Sequence, residues 1–198
     1  MKKLSKISES VWNDIRKKSL GSSTRKENEW IMELINAFVK RHHLKEGEYT
    51  IKPGFIVDVY HSIQLQEDDI IDNRIPFKFG KVEGDFRMSH IPINSLENSP
   101  DEVTGDYMVI YTSVTTLEGS PKIVGKNFNV DFNKLLIKLD GSPDKVGGDY
   151  KLYACYHIKD IKGISPEIDG NLVYDKAIGF TEDDFRQYSN IKGNIKEL

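Results

Sequence analysis

Residues 103 to 123 read VTGDYMVIYTSVTTLEGSPKI, and the same unit recurs on both sides. VEGDFRMSHIPINSLENSPDE begins at Val82, VGKNFNVDFNKLLIKLDGSPDK at Val124 and VGGDYKLYACYHIKDIKGISPE at Val146, with a further start, IDGNLVYD, at Ile168. The steps are 21, 21, 22 and 22 residues. A degenerate earlier unit precedes them, with Ile63, Leu65, Ile70, Ile75 and the stretch IPFKFGK. Self-similarity at a fixed period of about twenty residues is the signature of a solenoid, in which no unit can bury its apolar face alone and stacking makes the core.

Each unit repeats the same mechanics. A Gly with an Asp or Asn forms a turn. An aromatic (Phe86, Tyr107, Phe128, Tyr150) and, two residues on, an apolar residue (Met88, Val109, Val130, Leu152) then point inward from one short strand. Seven residues after the first three aromatics, Ile93, Val114 and Leu135 are expected inside as well. The leucine of LENSP, LEGSP or LDGSP follows, and the Gly or Asn and the Pro turn the chain towards the next strand.

Helical periodicity appears only at the two ends. Residues 5 to 19 place Ile7, Val11, Trp12 and Ile15 on one stripe, closed by Gly21. A second helix is expected from Thr24, whose spacing to Glu27 has the form of a capping box, through Trp30, Ile31, Leu34, Ile35, Phe38 and Val39 to about His42. Its broad apolar stripe predicts burial against the open end of the repeat. Near the other end, Thr181 ahead of Glu182-Asp183-Asp184, with Phe185, Tyr188 and Ile191 facing inward, predicts a short capped helix. The organisation read from these patterns is a basic leader helix over 1–22, a capping helix over 23–49, a solenoid over 50–175 and a C-terminal cap over 176–198.

Charge divides the chain in the same way. Residues 1 to 45 hold eleven Lys and Arg against five acids, or +6, leaving −9 on the remaining 153 residues of a chain whose formal charge is −3. A basic head on an acidic body suggests different partners for the two parts and makes nucleic acid an unpromising ligand for the body; the plainer alternative is that the lysines solvate helix faces. No apolar run approaches the roughly 20 residues needed to cross a bilayer, and MKKLSKISES lacks the apolar core of a secretory signal, so a product neither secreted nor membrane-spanning is expected. Cys155 is alone, which excludes an internal disulfide.

The unit V-x-G-x-F-x-V-x-x-x-x-x-x-L-x-x-L-E-G-x-P, preceded by IPFKFGKVEG at 75 to 84, resembles the short leucine-rich repeats common in proteins of tailed bacteriophages and some of their bacterial hosts. The stretch SKISESVWNDIRKKSLGSSTRKEN resembles a leader found before otherwise different proteins of such phages. The resemblance covers roughly residues 50 to 175. It implies an α+β repeat fold, a leucine-rich-repeat-like β-solenoid of about five turns with two N-terminal helices and a short C-terminal helical cap. It also implies a phage protein, placed in the host cytoplasm or the virion, whose partner is a phage structural protein or a host protein. One feature departs from the family: the bend slot that normally holds asparagine is occupied by Ile91, Thr112, Asn133 and Cys155, and Pro92 removes a further amide. A regular horseshoe curvature is therefore not expected.

Signs of chemistry are sparse. Gly119-Ser120-Pro121-Lys122-Ile123-Val124-Gly125-Lys126-Asn127 is one residue too long for a phosphate loop and has Asn where magnesium needs Ser or Thr. Glu67-Asp68-Asp69 with Asp72 lacks the alternating oxygen ligands of a calcium loop. His42 and His43 are adjacent and diverge on a helix, while His61, His90 and His157 lie far apart; Cys155 reads as a small buried filler. No nucleophile-base-acid set stands out, so no cofactor, metal or catalytic residue is assigned.

A partner surface, by contrast, can be read off the repeat. One residue past the inward aromatic lie Gln64, Arg87, Met108, Asn129 and Lys151; three past it, Gln66, Ser89, Ile110, Asp131 and Tyr153; four past it, Glu67, His90, Tyr111, Phe132 and Ala154. Met108, Ile110, Tyr111, Phe132 and Tyr153, rimmed by Arg87, His90, Asp131 and Lys151, form the expected protein-binding patch. The alternative is that the N-terminal helices or a loop cover this face. Trp12, Arg16, Lys17 and Lys18 are the candidate docking residues of the leader. The leading expectation is a non-enzymatic protein-interaction module. Its alternatives are a phage inhibitor of a host defence protein, with the acidic body mimicking nucleic acid, and an enzyme with its site between helices and solenoid. The oligomeric state is left open.

Overall fold

A computed structural model describes residues 25–198. The expected leader helix, the capping threonine Thr24 and the docking residues Trp12, Arg16, Lys17 and Lys18 lie outside the described residues.

The chain winds as a β-solenoid of about six turns. Helix α1 (Arg25–Arg41) comes first, followed by the hairpin of β1 (Tyr49–Lys52) and β2 (Ile56–Val59). Each turn thereafter contributes two short strands. The first set is β2, β4 (Phe79–Val82), β6 (Glu102–Val103), β8 (Ile123–Val124), β10 (Lys145–Val146), β12 (Glu167–Ile168) and β14 (Asn190–Ile191), which with β1 makes an eight-stranded sheet. The second set is β3 (Ile63–Gln64), β5 (Phe86–Ser89), β7 (Tyr107–Ile110), β9 (Phe128–Asn129), β11 (Tyr150–Leu152), β13 (Leu172–Tyr174) and β15 (Ile195–Glu197), a seven-stranded sheet. Both sheets are parallel apart from the β1–β2 pair.

Two differences from the sequence reading follow. The valine that opens each unit is not merely part of a turn: Val82, Val103, Val124 and Val146 lie in strands of their own, fully buried, so each turn has two strands where one was expected. The turns number about six rather than five, because β14 and β15 extend both sheets through the segment read as a cap. Helix α2 (Glu182–Arg186) is present as expected, with Thr181 and Asp184 forming a capping box and Phe185 buried against Tyr174.

The core is a column of stacked rings. Phe86, Tyr107 and Phe128 lie parallel at 5.8 and 5.5 Å, and the chain of contacts runs through Phe79 to Phe38 of α1 at 5.4 Å. Leu34, Ile35 and Phe38 are buried, so the apolar stripe of α1 closes the open end of the solenoid, as its periodicity predicts. The end of α1 is fastened by Asp69, a carboxylate buried on a short 3-10 turn. It accepts from His42 Nε2 at 2.8 Å and from the Gln66 amide at 2.8 Å, and pairs with Arg41.

The echoed LEGSP is a turn in which the Ser amide donates to the Leu carbonyl three residues back: Ser99 to Leu96, Ser120 to Leu117, Ser142 to Leu139. The third residue has positive φ, Asn98 at 71°, Gly119 at 92° and Gly141 at 87°, the requirement of a type II turn. Stacking adds a second demand. A Cβ on Gly119 would lie 2.6 Å from the backbone of Leu96 and Glu97, whereas the Asn98 amide reaches back to the Ile75 carbonyl at 2.9 Å.

One inward assignment is corrected. Ile93 and Val114 are buried, but Leu135 is 53 % exposed and Leu136 is buried in its place. The longer unit inserts its extra residue here: a tight turn, with the Leu136 amide donating to the Asn133 carbonyl at 3.0 Å, swings Leu135 outward.

Candidate interaction surface

The outward columns stand in the order the repeat predicts. Strand pairing sets Gln64, Arg87, Met108, Asn129 and Lys151 in register, and Ser89 opposite Ile110. The Tyr153 amide donates to Asp131 Oδ1 at 2.6 Å, so these two neighbour one another across turns. None of the nine expected contact residues is buried; His90 and Tyr111 are exposed and the other seven half-buried. The buried side chains of α1 go to the end of the core, so this helix does not cover the strand face.

The last column has a geometry that the sequence did not reveal. His90, Tyr111, Phe132 and Ala154 all adopt left-handed backbone, with φ between 54° and 61°. Bulky residues rarely take that region, and glycine or asparagine would do so at lower cost. The rings stack along the solenoid axis, His90 on Tyr111 at 4.3 Å and Tyr111 on Phe132 at 4.5 Å, and Tyr153 closes on Phe132 edge-on at 5.6 Å. Stacking covers the ring faces, so the surface shows ring edges and the Tyr111 hydroxyl.

Charges around this stack are partly engaged within the protein. Arg87 donates to Asp85 at 2.6 Å. Burial raises the Asp131 carboxyl above its ordinary range, against the Tyr153 amide, Asn129 and nearby Lys151, which act to lower it. Ser89 and His90 share a hydrogen bond at 2.7 Å.

Behind the columns, two of the bend slots carry polar contacts between turns. Asn133 donates to the Val109 and Val130 carbonyls and accepts from the Thr112 amide and hydroxyl. Cys155 donates to the Val130 carbonyl at 3.1 Å, and burial pushes its thiol up to about 12. It is a neutral filler of that slot.

A second ladder links the turns. The residue before the first inward side chain of each turn, an aromatic in four of them and Ile63 or Leu172 in two others, accepts through one side-chain oxygen the backbone amide of its counterpart in the next turn: Ser62 from Asp85, Asp85 from Asp106, Asp106 from Asn127, Asn127 from Asp149, Asp149 from Asn171, Asn171 from Asn194. Its signal was present in the sequence, since Asp or Asn precedes the aromatic in every unit. Read alone, that pattern is equally that of a turn former.

Among the described residues, no three His, Cys, Asp or Glu side chains converge as a metal site, and no helix is long and apolar enough to cross a membrane. Comparison of the chain with protein-family models, with curated proteins and with solved structures gave no match.

Proposed function

We propose that this chain is a non-enzymatic protein-binding module, engaging its partner through the outer face of β5, β7, β9 and β11 and the aromatic column beside it. The observation that carries this reading is the stack of His90, Tyr111 and Phe132 at left-handed positions, with Tyr111 42 % exposed. Three bulky side chains are kept where glycine would fold more easily, and backbone strain of this kind gathers at working surfaces. An exposed, rigid aromatic ridge flanked by Met108 and Ile110 and rimmed by Arg87, Asp131 and Lys151 is the composition of an interface centre.

The kind of protein is proposed from the resemblance of its repeats, LE(G/N)SP together with the IPFKFGK lead-in, to leucine-rich repeats of tailed phages. On that reading it is a phage protein acting in the virion or on a host factor, and the basic residues 1 to 22 dock or package it. Mass spectrometry of proteins retained by the wild type and lost with Tyr111→Gly tests the surface. Equal retention by the two would remove the strand face from consideration. Presence of the chain in purified particles would favour a virion component, whereas specific retention of a host defence protein would favour the inhibitor reading. Deletion of residues 1 to 22 without change in association would end the docking role.

A further inference from the structure

The residue inserted in the longer units creates a second surface, on the side of the solenoid that follows the bend. Leu135, Ile137 and Tyr156 are exposed by 53, 39 and 45 %, more than any apolar residue of the strand face other than Tyr111. They belong to neighbouring turns. The Lys159 amide donates to the Ile137 carbonyl at 2.8 Å, and His157 Nδ1 bonds the Lys134 carbonyl at 2.6 Å. These contacts set Lys159 beside Ile137 and His157 beside the Lys134-Leu135 turn.

The rim of this patch is cationic, on a body that is otherwise acidic. Lys134, Lys138, Lys159 and Lys162 are exposed. Lys134, Lys159 and Lys162 have no ion pair among the described residues, and Lys138 only approaches Asp140 at 4.0 Å. The acids at its margin are Asp140 and Asp160, and Asp160 accepts the Lys162 amide. Other lysines of the solenoid are matched, as in the cluster of Lys145, Lys192, Glu167 and Asp169, and those that are not, such as Lys122 and Lys126, do not flank Leu135 and Ile137. Unpaired lysines beside exposed aliphatic side chains fit a partner that supplies both carboxylates and apolar cover.

We infer that this face binds an acidic segment of a partner protein that carries large apolar side chains among its carboxylates. Carboxylates would meet the unpaired lysines, and the apolar side chains would cover Leu135 and Ile137. Nucleic acid fits less well, because the exposed side chains are mainly aliphatic and offer bases little to stack on. A membrane fits less well, because only three apolar side chains, Leu135, Ile137 and Tyr156, are exposed there to insert. The surface is separate from the aromatic column and does not depend on that column's role.

The test uses the full chain and a fluorescent synthetic peptide of alternating glutamate and leucine, with a glutamate-serine peptide of equal charge as control. The leucine peptide should bind at least about tenfold more tightly than the control, the return for covering two or three aliphatic side chains. Its affinity should fall as salt rises from about 0.05 to 0.5 M, where the screening length shortens from roughly 14 Å to about 4 Å. Leu135→Ser with Ile137→Ser should abolish the difference between the peptides while leaving the urea midpoint near that of the wild type, and Tyr111→Gly should leave it intact. Equal binding of both peptides, no binding of either, or tighter binding to anionic vesicles or to a single-stranded oligonucleotide would overturn the inference.

Discussion

Ser99 Oγ lies 3.0 Å from the phenolic oxygen of Tyr107 inside the solenoid, joining the echoed LENSP turn to the aromatic of the next strand. Ser142 and Tyr150 repeat the contact at 2.9 Å. In the unit between them the aromatic is Phe128, and the Ser120 hydroxyl is left buried without a hydrogen bond, near enough to Tyr107 to bear on its ionisation but outside bonding geometry. Tyr107→Phe should therefore cost about 1 to 2 kcal/mol by orphaning Ser99, while Phe128→Tyr should stabilise by up to about 1 kcal/mol by giving Ser120 a partner. Urea denaturation of the two variants checks both signs.

The same tyrosines set the alkaline limb of stability. Burial holds both phenols well above their ordinary value, with the serine hydroxyls only partly opposing it. A folded-state value above the unfolded one means that the contribution is complete below about pH 10 and is lost as pH rises further. Unfolding followed from pH 8 to 11 should show a decline beginning near pH 10, and Tyr107→Phe combined with Tyr150→Phe should flatten it.

Asp69 sets part of the acid limb. Burial works to raise its carboxyl, but the bonds from His42 and the Gln66 amide and the charges of His42 and Arg41 outweigh it and hold the group below its ordinary value. Its contribution is present above about pH 4, the unfolded value, and is lost as pH falls through the lower folded value. Asp69→Ala should cost about 3 kcal/mol by leaving the half-buried Arg41 guanidinium and the His42 and Gln66 groups without their shared acceptor. Between pH 5 and 2 the wild type should lose stability more steeply than Asp69→Asn, measured by the urea midpoint.

Rungs of the Asp/Asn ladder should tolerate exchange of acid for amide but not removal. Asp106 Oδ1 accepts both the amide and the side-chain nitrogen of Asn127, at 3.0 and 2.9 Å. Asp106→Asn keeps an acceptor and should cost under about 1 kcal/mol, whereas Asp106→Ala leaves the Asn127 groups unpaired and should cost about 2 to 3 kcal/mol. Hydrogen exchange at the Asn127 amide would report the loss directly.

At the third position of the echo, Gly119→Ala should cost more than Asn98→Gly. Alanine meets both the left-handed backbone and the turn beneath it, a penalty of about 2 kcal/mol or more, while Asn98→Gly forfeits one hydrogen bond of about 1 kcal/mol. Thermal unfolding of the pair ranks them.

The repeat made the stacking, the inward aromatics and the outward columns legible, because a fixed period converts sequence position into spatial register. What it hid were features set by single insertions and by backbone sign. Leu135 follows Phe128 at the spacing of Val114 from Tyr107, and only the turn at Asn133 tells that it faces out. The left-handed state of His90, Tyr111 and Phe132 has no compositional mark, since none is glycine or asparagine. The strands of the opening valines are not legible either, because they are only two to four residues long and show too little alternation to register as strands.

The Asp/Asn rungs carry a consequence for the length of the molecule. Each joins one turn to the next by the same bond, and from Asp85 to Asn194 no rung depends on its distance from either end. Adding or deleting a whole unit of 21 or 22 residues leaves every bond type intact, whereas half a unit would set rung against strand. Length in this architecture is therefore quantised, and the chain can grow or shrink between its two caps only one complete turn at a time.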